Sequence, residues 1–184
     1  IMKRRCVLSV EQELFVQRHI VGSVIIAGLV VVIKEAKMRK FEVVTGYEEV
    51  AKLPKRSTKH SAGYDFYTTN SLPVLILPQK TVVFDTGIKV SMESDEVLLM
   101  HIRSSIGIKR GLILSNCTGV IDADYYNNPD NEGHIRIALT NIGDVAQTIK
   151  PYEKVAQGIF MKYLVADDDN PTGTRVGGIG STGK

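Results

Sequence analysis

The side chains best able to do chemistry here are ones that suit phosphate groups and water. Asp122 and Asp124 stand two apart in Gly119-Val120-Ile121-Asp122-Ala123-Asp124-Tyr125. On a strand both carboxylates would face one side. A carboxylate held in a rigid turn can take a proton from water, although capping a turn is the commoner use of Asp. Arg103 precedes Ser104 where a short helix could begin, and a planar guanidinium beside free backbone N–H groups suits phosphate oxygens. A surface ion pair is the plainer use of such an Arg. Gly178 to Lys184 has the spacing G-x-x-x-x-G-K of a P-loop. A P-loop also needs a preceding strand and a following helix, whereas residues 171–184 hold five glycines and no apolar run. Glycine-rich backbone can still bring several N–H groups close to a phosphate chain. Cys6 and Cys117 lie far apart with no metal-ligand spacing, and a reduced, cytoplasmic setting is expected.

The elements that must position these residues are short strands. Apolar runs of strand length recur at 75–77, 81–84, 87–90, 97–100, 112–114, 135–139 and 155–160, bounded by Gly, Pro, Asn and Asp. Residues 41–44 are also strand-like. A short helix is expected over 104–109 and a second near 48–52. Strands every ten residues or so, without long helices, point to an all-β sandwich or barrel. Residues 171–184 cannot bury themselves in a core and read as a mobile tail.

Net charge is +3, but residues 1–37 carry six basic and three acidic residues, and the 147 residues from Met38 onward hold 17 of each sign. That body has no surplus for a basic patch, so nucleic acid is not an expected partner. Residues 20–33 carry no charge, yet a spanning helix needs roughly 20 apolar residues. Met38-Arg39-Lys40 followed by a strand resembles a natural N-terminus. Residues 1–37 are therefore expected to be upstream sequence; a membrane anchor and an extra helix or strand are the alternatives. No membrane is expected for residues 38–184.

Five segments, in order and at similar intervals, give the chain its family likeness: Ala62-Gly63-Tyr64-Asp65; Arg103-Ser104-Ser105-Ile106-Gly107; Gly119 to Tyr125; Glu153-Lys154-Val155-Ala156-Gln157; and Arg175 to Gly183. Over about residues 40–184 the chain resembles the trimeric dUTP diphosphatases, in particular their phage and Gram-positive branch. The resemblance implies a β jelly roll with one or two short helices. It also implies a homotrimer with sites shared between subunits, a β domain over 38–170 and a glycine-rich tail over 171–184 that closes on the site. The implied reaction is hydrolysis of dUTP to dUMP and pyrophosphate, which keeps uracil out of DNA and supplies dUMP for dTMP synthesis.

The same resemblance assigns roles. Asp122 is the water-activating carboxylate. Arg103, Ser104, Ser105, Gln157 and Arg175 would bind phosphate. Asn116 and backbone groups around Val120, Ile121 and Arg136 would face uracil. Tyr125 would lie flat on the deoxyribose and exclude a 2′-hydroxyl; a half-buried strand aromatic is its plainer use. Mg²⁺ is implied by the triphosphate, which with water would supply most of its ligands. Asp65 is the candidate for a water-mediated contact to it, or else a member of a buried ion pair. Four departures stand out. Ser105 replaces a common Gly and Lys154 a common Arg. Ile179 stands where an aromatic usually stacks on uracil. The segment 126–134 is longer than the two- or three-residue turn of many relatives, and His134 or Tyr126 could take over the stacking. Two other classes are conceivable, a dCTP deaminase of the related fold or a non-catalytic binding protein. No Glu lies between Gly111 and Tyr125 to serve the deaminase.

Overall fold

The computed structural model describes residues 23–26, 29–32 and 39–178. The chain divides into two compact units, residues 1–36 and 37–184. In the first, β1 (Ser23–Ile26) and β2 (Leu29–Val32) pair antiparallel, with Ser23 opposite Val32. The uncharged stretch is rich in Val and Ile, which favour strands. No described helix is long and apolar enough to cross a membrane.

The second unit runs β3 (Lys40–Val43), β4 (Lys55–Arg56), β5 (Tyr64–Tyr67), β6 (Val74–Ile76), β7 (Thr81–Ser91), β8 (Glu96–Ile102), α1 (Ser104–Arg110), β9 (Leu112–Leu114) and β10 (Gly119–Asp122). A 3-10 helix at Ala123–Tyr125, β11 (Ile135–Asn141), β12 (Gln147–Ile149) and β13 (Lys154–Lys162) follow. Two antiparallel sheets, ordered β10-β8-β13-β5-β4 and β3-β7-β11-β9, face each other, with a small β12-β6 ribbon beside them. β11 shows why they pack: Ile135, Ile137, Leu139 and Asn141 are buried while Arg136 is exposed, the period of two of a half-buried strand. Phe66, Leu98 and Met100 from one sheet meet Phe84, Ile88 and Ile137 from the other in a single core. Buried Asn141 is satisfied: its Nδ2 donates to the Ile76 and Val145 carbonyls, and its Oδ1 accepts from the Gly143 N–H. The fold is the expected all-β, jelly-roll-like sandwich.

Two local expectations are corrected. The runs at 81–84 and 87–90 are one strand, β7, with an irregularity at its middle: Ile135 pairs with Ile88 but Arg136 pairs with Asp85. Gly87 makes this possible. Its φ is +67°, and a Cβ there would stand 2.7 Å from Tyr47 Cβ. Residues 48–52 form no helix; the Tyr47 carbonyl accepts from the N–H groups of Val50 and Ala51, and Pro54 close behind bars a second turn. The helix α1 forms as expected and runs one residue further, to Arg110, where Gly111 caps it.

Candidate active site

β10 lies at the edge of its sheet, with Gly119 opposite Met100 and Asp122 opposite Val97. The strand stops at Asp122 and Asp124 falls in the 3-10 helix, so the two carboxylates do not share one face of a strand as expected. Arg175 nevertheless gathers them. Its Nη2 donates to Asp122 Oδ2, its Nε donates to Asp124 Oδ1 at 2.7 Å, and its guanidinium lies 5.8 Å from the Tyr125 ring centroid. A cavity of about 520 Å³ opens beside this group, a size that suits a small ligand. Its wall takes in Asn116, Val120, Ile121, Asp122, Tyr125, Arg136 and Arg175. These seven and His134, all singled out in the sequence, therefore meet in one place, with Gly178 of the tail beside them. Ile179 lies outside the described residues.

The stacking role suggested for the longer hairpin does not fit Tyr126. Its hydroxyl donates to Glu42, Lys89 stands over its ring, and it does not line the cavity. His134 does line it but is pinned: Nε2 accepts the Gly87 N–H at 2.9 Å, and the ring packs on Tyr47 with centroids 4.7 Å apart. Burial pushes the His134 imidazole below its ordinary value, partly opposed by Asp85.

The remaining residues gather elsewhere, because β13 runs between β5 and β8 and sets Gln157 opposite both Asp65 and His101. Asp65 is buried. One carboxylate oxygen meets Arg103 Nε at 3.0 Å; the other meets Lys154 Nζ at 3.0 Å and the Ser57 hydroxyl at 2.8 Å. Burial alone would raise the Asp65 pKa, but Lys154, Ser57 and Arg103 outweigh it and hold the carboxyl below the usual range. Its hydrogen bond to Asp65 pushes Lys154 up in turn. Of the two uses left open for Asp65, the ion pair is the one seen. Oδ1 of Asp65 takes one of these partners and Oδ2 two, so Oδ1 keeps room to accept one more hydrogen bond. Among the described residues no group of three His, Cys, Asp or Glu could hold a metal ion. Gly63 packs closely on Gln157, where a Cβ would stand 3.2 Å from Gln157 Cβ and would displace its Oε1. Ser104 is exposed and Ser105 half-buried at the start of α1. Ser57 went unrecognised in the sequence: a lone Ser eight residues before Asp65 gives no signal.

The two groups are far apart along one chain. Asp122 pairs with Val97 at the start of β8, and Arg103 follows Ile102 at its other end. Six residues of strand separate them by roughly 20 Å.

The match to a family model described as dUTPase extends over residues 49–183. The chain belongs to the dUTPase family. The deoxyuridine 5'-triphosphate nucleotidohydrolase of Lactococcus lactis subsp. lactis (strain IL1403) is 49% identical over 150 residues, covering 80% of this chain and 99% of that protein. Its counterpart in Albidiferax ferrireducens is 35% identical, covering 72% and 89%. Among solved structures, the dUTPase from Streptococcus mutans is 44% identical with a TM-score of 0.63, covering 69% of this chain and 98% of that one. These dUTPases fix the family; the site roles rest on the geometry above.

Proposed function

We propose that the chain hydrolyses dUTP to dUMP and pyrophosphate, with Asp122 accepting the proton of the water that attacks the α-phosphorus in line. The substrate is taken as Mg²⁺-dUTP, the ion carried by phosphate oxygens and water. Tyr125 lies on the deoxyribose, and Asn116 and the backbone near Val120, Ile121 and Arg136 face the base. Arg103, Ser104, Ser105 and Gln157 hold the phosphates. Arg175 leaves Asp122 and Asp124 for the departing pyrophosphate as the tail closes and excludes water.

The observation that carries this reading is the separation of about 20 Å between Asp122 and Arg103 along β8. A base acting at the α-phosphorus and a guanidinium holding the same triphosphate must come within a few ångströms of one substrate. One copy of the chain does not bring them there, and a second copy can. This supports a homotrimer with shared sites. The described residues lining the cavity include Asp122 and no Glu, which speaks against the deaminase.

The test is incubation with Mg²⁺ and dUTP, dCTP, dTTP or UTP in turn, following pyrophosphate and base identity. Pyrophosphate and dUMP from dUTP alone are expected. Deaminated product from dCTP, or no product at all, would overturn the reading.

A further inference from the structure

The segment 126–134, which none of the five family-like motifs uses, is built around two asparagines. Asn128 is buried. Its Oδ1 accepts the N–H groups of Asp130 and Asn131 at 3.1 and 3.2 Å, and its Nδ2 donates to the Tyr125 carbonyl at 3.0 Å and to Asn131 Oδ1 at 2.8 Å. Asn131 Oδ1 also accepts the Gly133 N–H at 3.0 Å. Two donors on that oxygen decide which way the amide points. Its NH₂ group is therefore the end that faces Tyr125, and Nδ2 donates to the Tyr125 hydroxyl at 3.0 Å. That hydroxyl donates onward to the His134 carbonyl at 3.0 Å. The phenol is thus held at both its acceptor and its donor side by one loop.

Gly177 and Gly178 of the tail lie against this contact. Gly177 packs on Asp130, where a Cβ would stand 3.2 Å from Oδ2. A Cβ on Gly178 would stand 3.1 Å from Asn131 Nδ2 and 3.2 Å from the Tyr125 hydroxyl. A hydrogen bond screened from water is worth more, and its loss is felt more.

We infer that Asn131 is a positioning residue for sugar selection: through Nδ2 it fixes the Tyr125 ring at the angle that admits a deoxyribose and rejects a 2′-hydroxyl. Asn128 and the loop serve to aim Asn131. The inference rests on the reading of Tyr125 given under Proposed function and adds the residue that sets it.

The test compares kcat/KM for dUTP with that for UTP in wild type, Asn131→Asp, Tyr125→Phe and the double variant. Asn131→Asp keeps the Oδ1 that Asn128 and Gly133 bind but puts an acceptor where the donor faced Tyr125, so the phenol loses the Asn131 donor and its own O–H is drawn from the His134 carbonyl towards the carboxylate. Loss of one such hydrogen bond should lower the dUTP/UTP ratio about tenfold, with kcat for dUTP changed by less than about threefold. In the Tyr125→Phe background the same substitution should add nothing to that ratio. An unchanged ratio in folded Asn131→Asp, or effects that multiply in the double variant, would overturn the inference. Wild-type protein gives a second measurement that needs no variant. The Asn131 side-chain amide protons should exchange slowly with solvent, and rapid exchange overturns the inference too. A wild type that treats dUTP and UTP alike would remove the reading of Tyr125 and this inference together. A selective wild type with an equally selective Asn131→Asp sinks the inference alone.

Discussion

Arg175 bridges Asp122 and Asp124, covering the carboxylate that would activate water with a guanidinium from the tail. One positive charge is shared between two neighbouring carboxylates and offsets one of their two negative charges. In the proposed mechanism the same cation turns to phosphate. Replacing Arg175 by Ala should lower kcat/KM for dUTP at least about tenfold, the scale of a lost hydrogen bond to a charged group. The stability cost should be modest: Asp122 and Asp124 are left open to water when the cation goes, although Arg175 itself is mostly buried and its packing is lost. Deleting residues 172–184 should nearly abolish turnover and likewise leave the fold intact. Steady-state kinetics with thermal unfolding separates the two effects; near-normal turnover in either variant refutes the lid.

Asp122→Asn preserves shape and removes the base. Turnover should fall by about 10²–10⁴, the usual worth of a positioned proton acceptor. Binding of dUTP, measured by calorimetry, should survive, because Tyr125, Asn116 and the cavity wall are untouched. Turnover close to wild type would remove Asp122 from the mechanism.

The sequence carried the strands well where one face is buried, because alternation such as that of β11 is a local signal. It carried Asp122, Tyr125 and Arg175 to one cavity because they sit in recognisable segments, and Asn116 because it stands six residues before Asp122. It was silent on partnerships between distant segments. Nothing near Asp65 announces Arg103 or Lys154, which meet it only because β13 lies between β5 and β8. Two strands were expected where Gly87 bends a single one. Asn128 and Asn131 read as ordinary turn residues, since Asn in a turn says nothing of which side chain its amide will grip. The separation of Asp122 from Arg103 follows from the register of β10 on β8, which spacing along the chain does not encode.

His134 makes stability depend on pH. Burial lowers its pKa in the folded protein, so below the ordinary imidazole value of about 6.5 the unfolded chain takes up a proton more readily than the folded one. The contribution is fully present above that value and is lost as the pH falls through and below it. Protonation would also take from Nε2 the lone pair that accepts the Gly87 N–H. Asp85, Glu132, Arg136 and Tyr47 surround the ring, and Asp85 opposes the shift without cancelling it. The denaturation midpoint should therefore drop between pH 7 and pH 5 in wild type and drop less in His134→Phe, whose overall stability is lower because Gly87 loses its acceptor. Parallel pH profiles for the two proteins would rule out His134 as the source.

Sharing of the site between subunits predicts complementation. Asp122→Asn leaves Arg103 intact, and Arg103→Gln leaves Asp122 intact while its amide can still reach Asp65. Each variant alone should be nearly inactive. In a cyclic trimer in which each site takes Asp122 from one copy and Arg103 from the next, every mixed trimer contains one junction where both wild-type residues meet. Co-refolding equal amounts should restore about a quarter of the wild-type rate, since most random trimers are mixed and each carries one working site in three. Simply mixing trimers that do not exchange subunits should restore nothing. If every site belonged to a single chain, co-refolding would restore nothing either, and the roughly 20 Å between Asp122 and Arg103 would then have to be closed by movement within that chain.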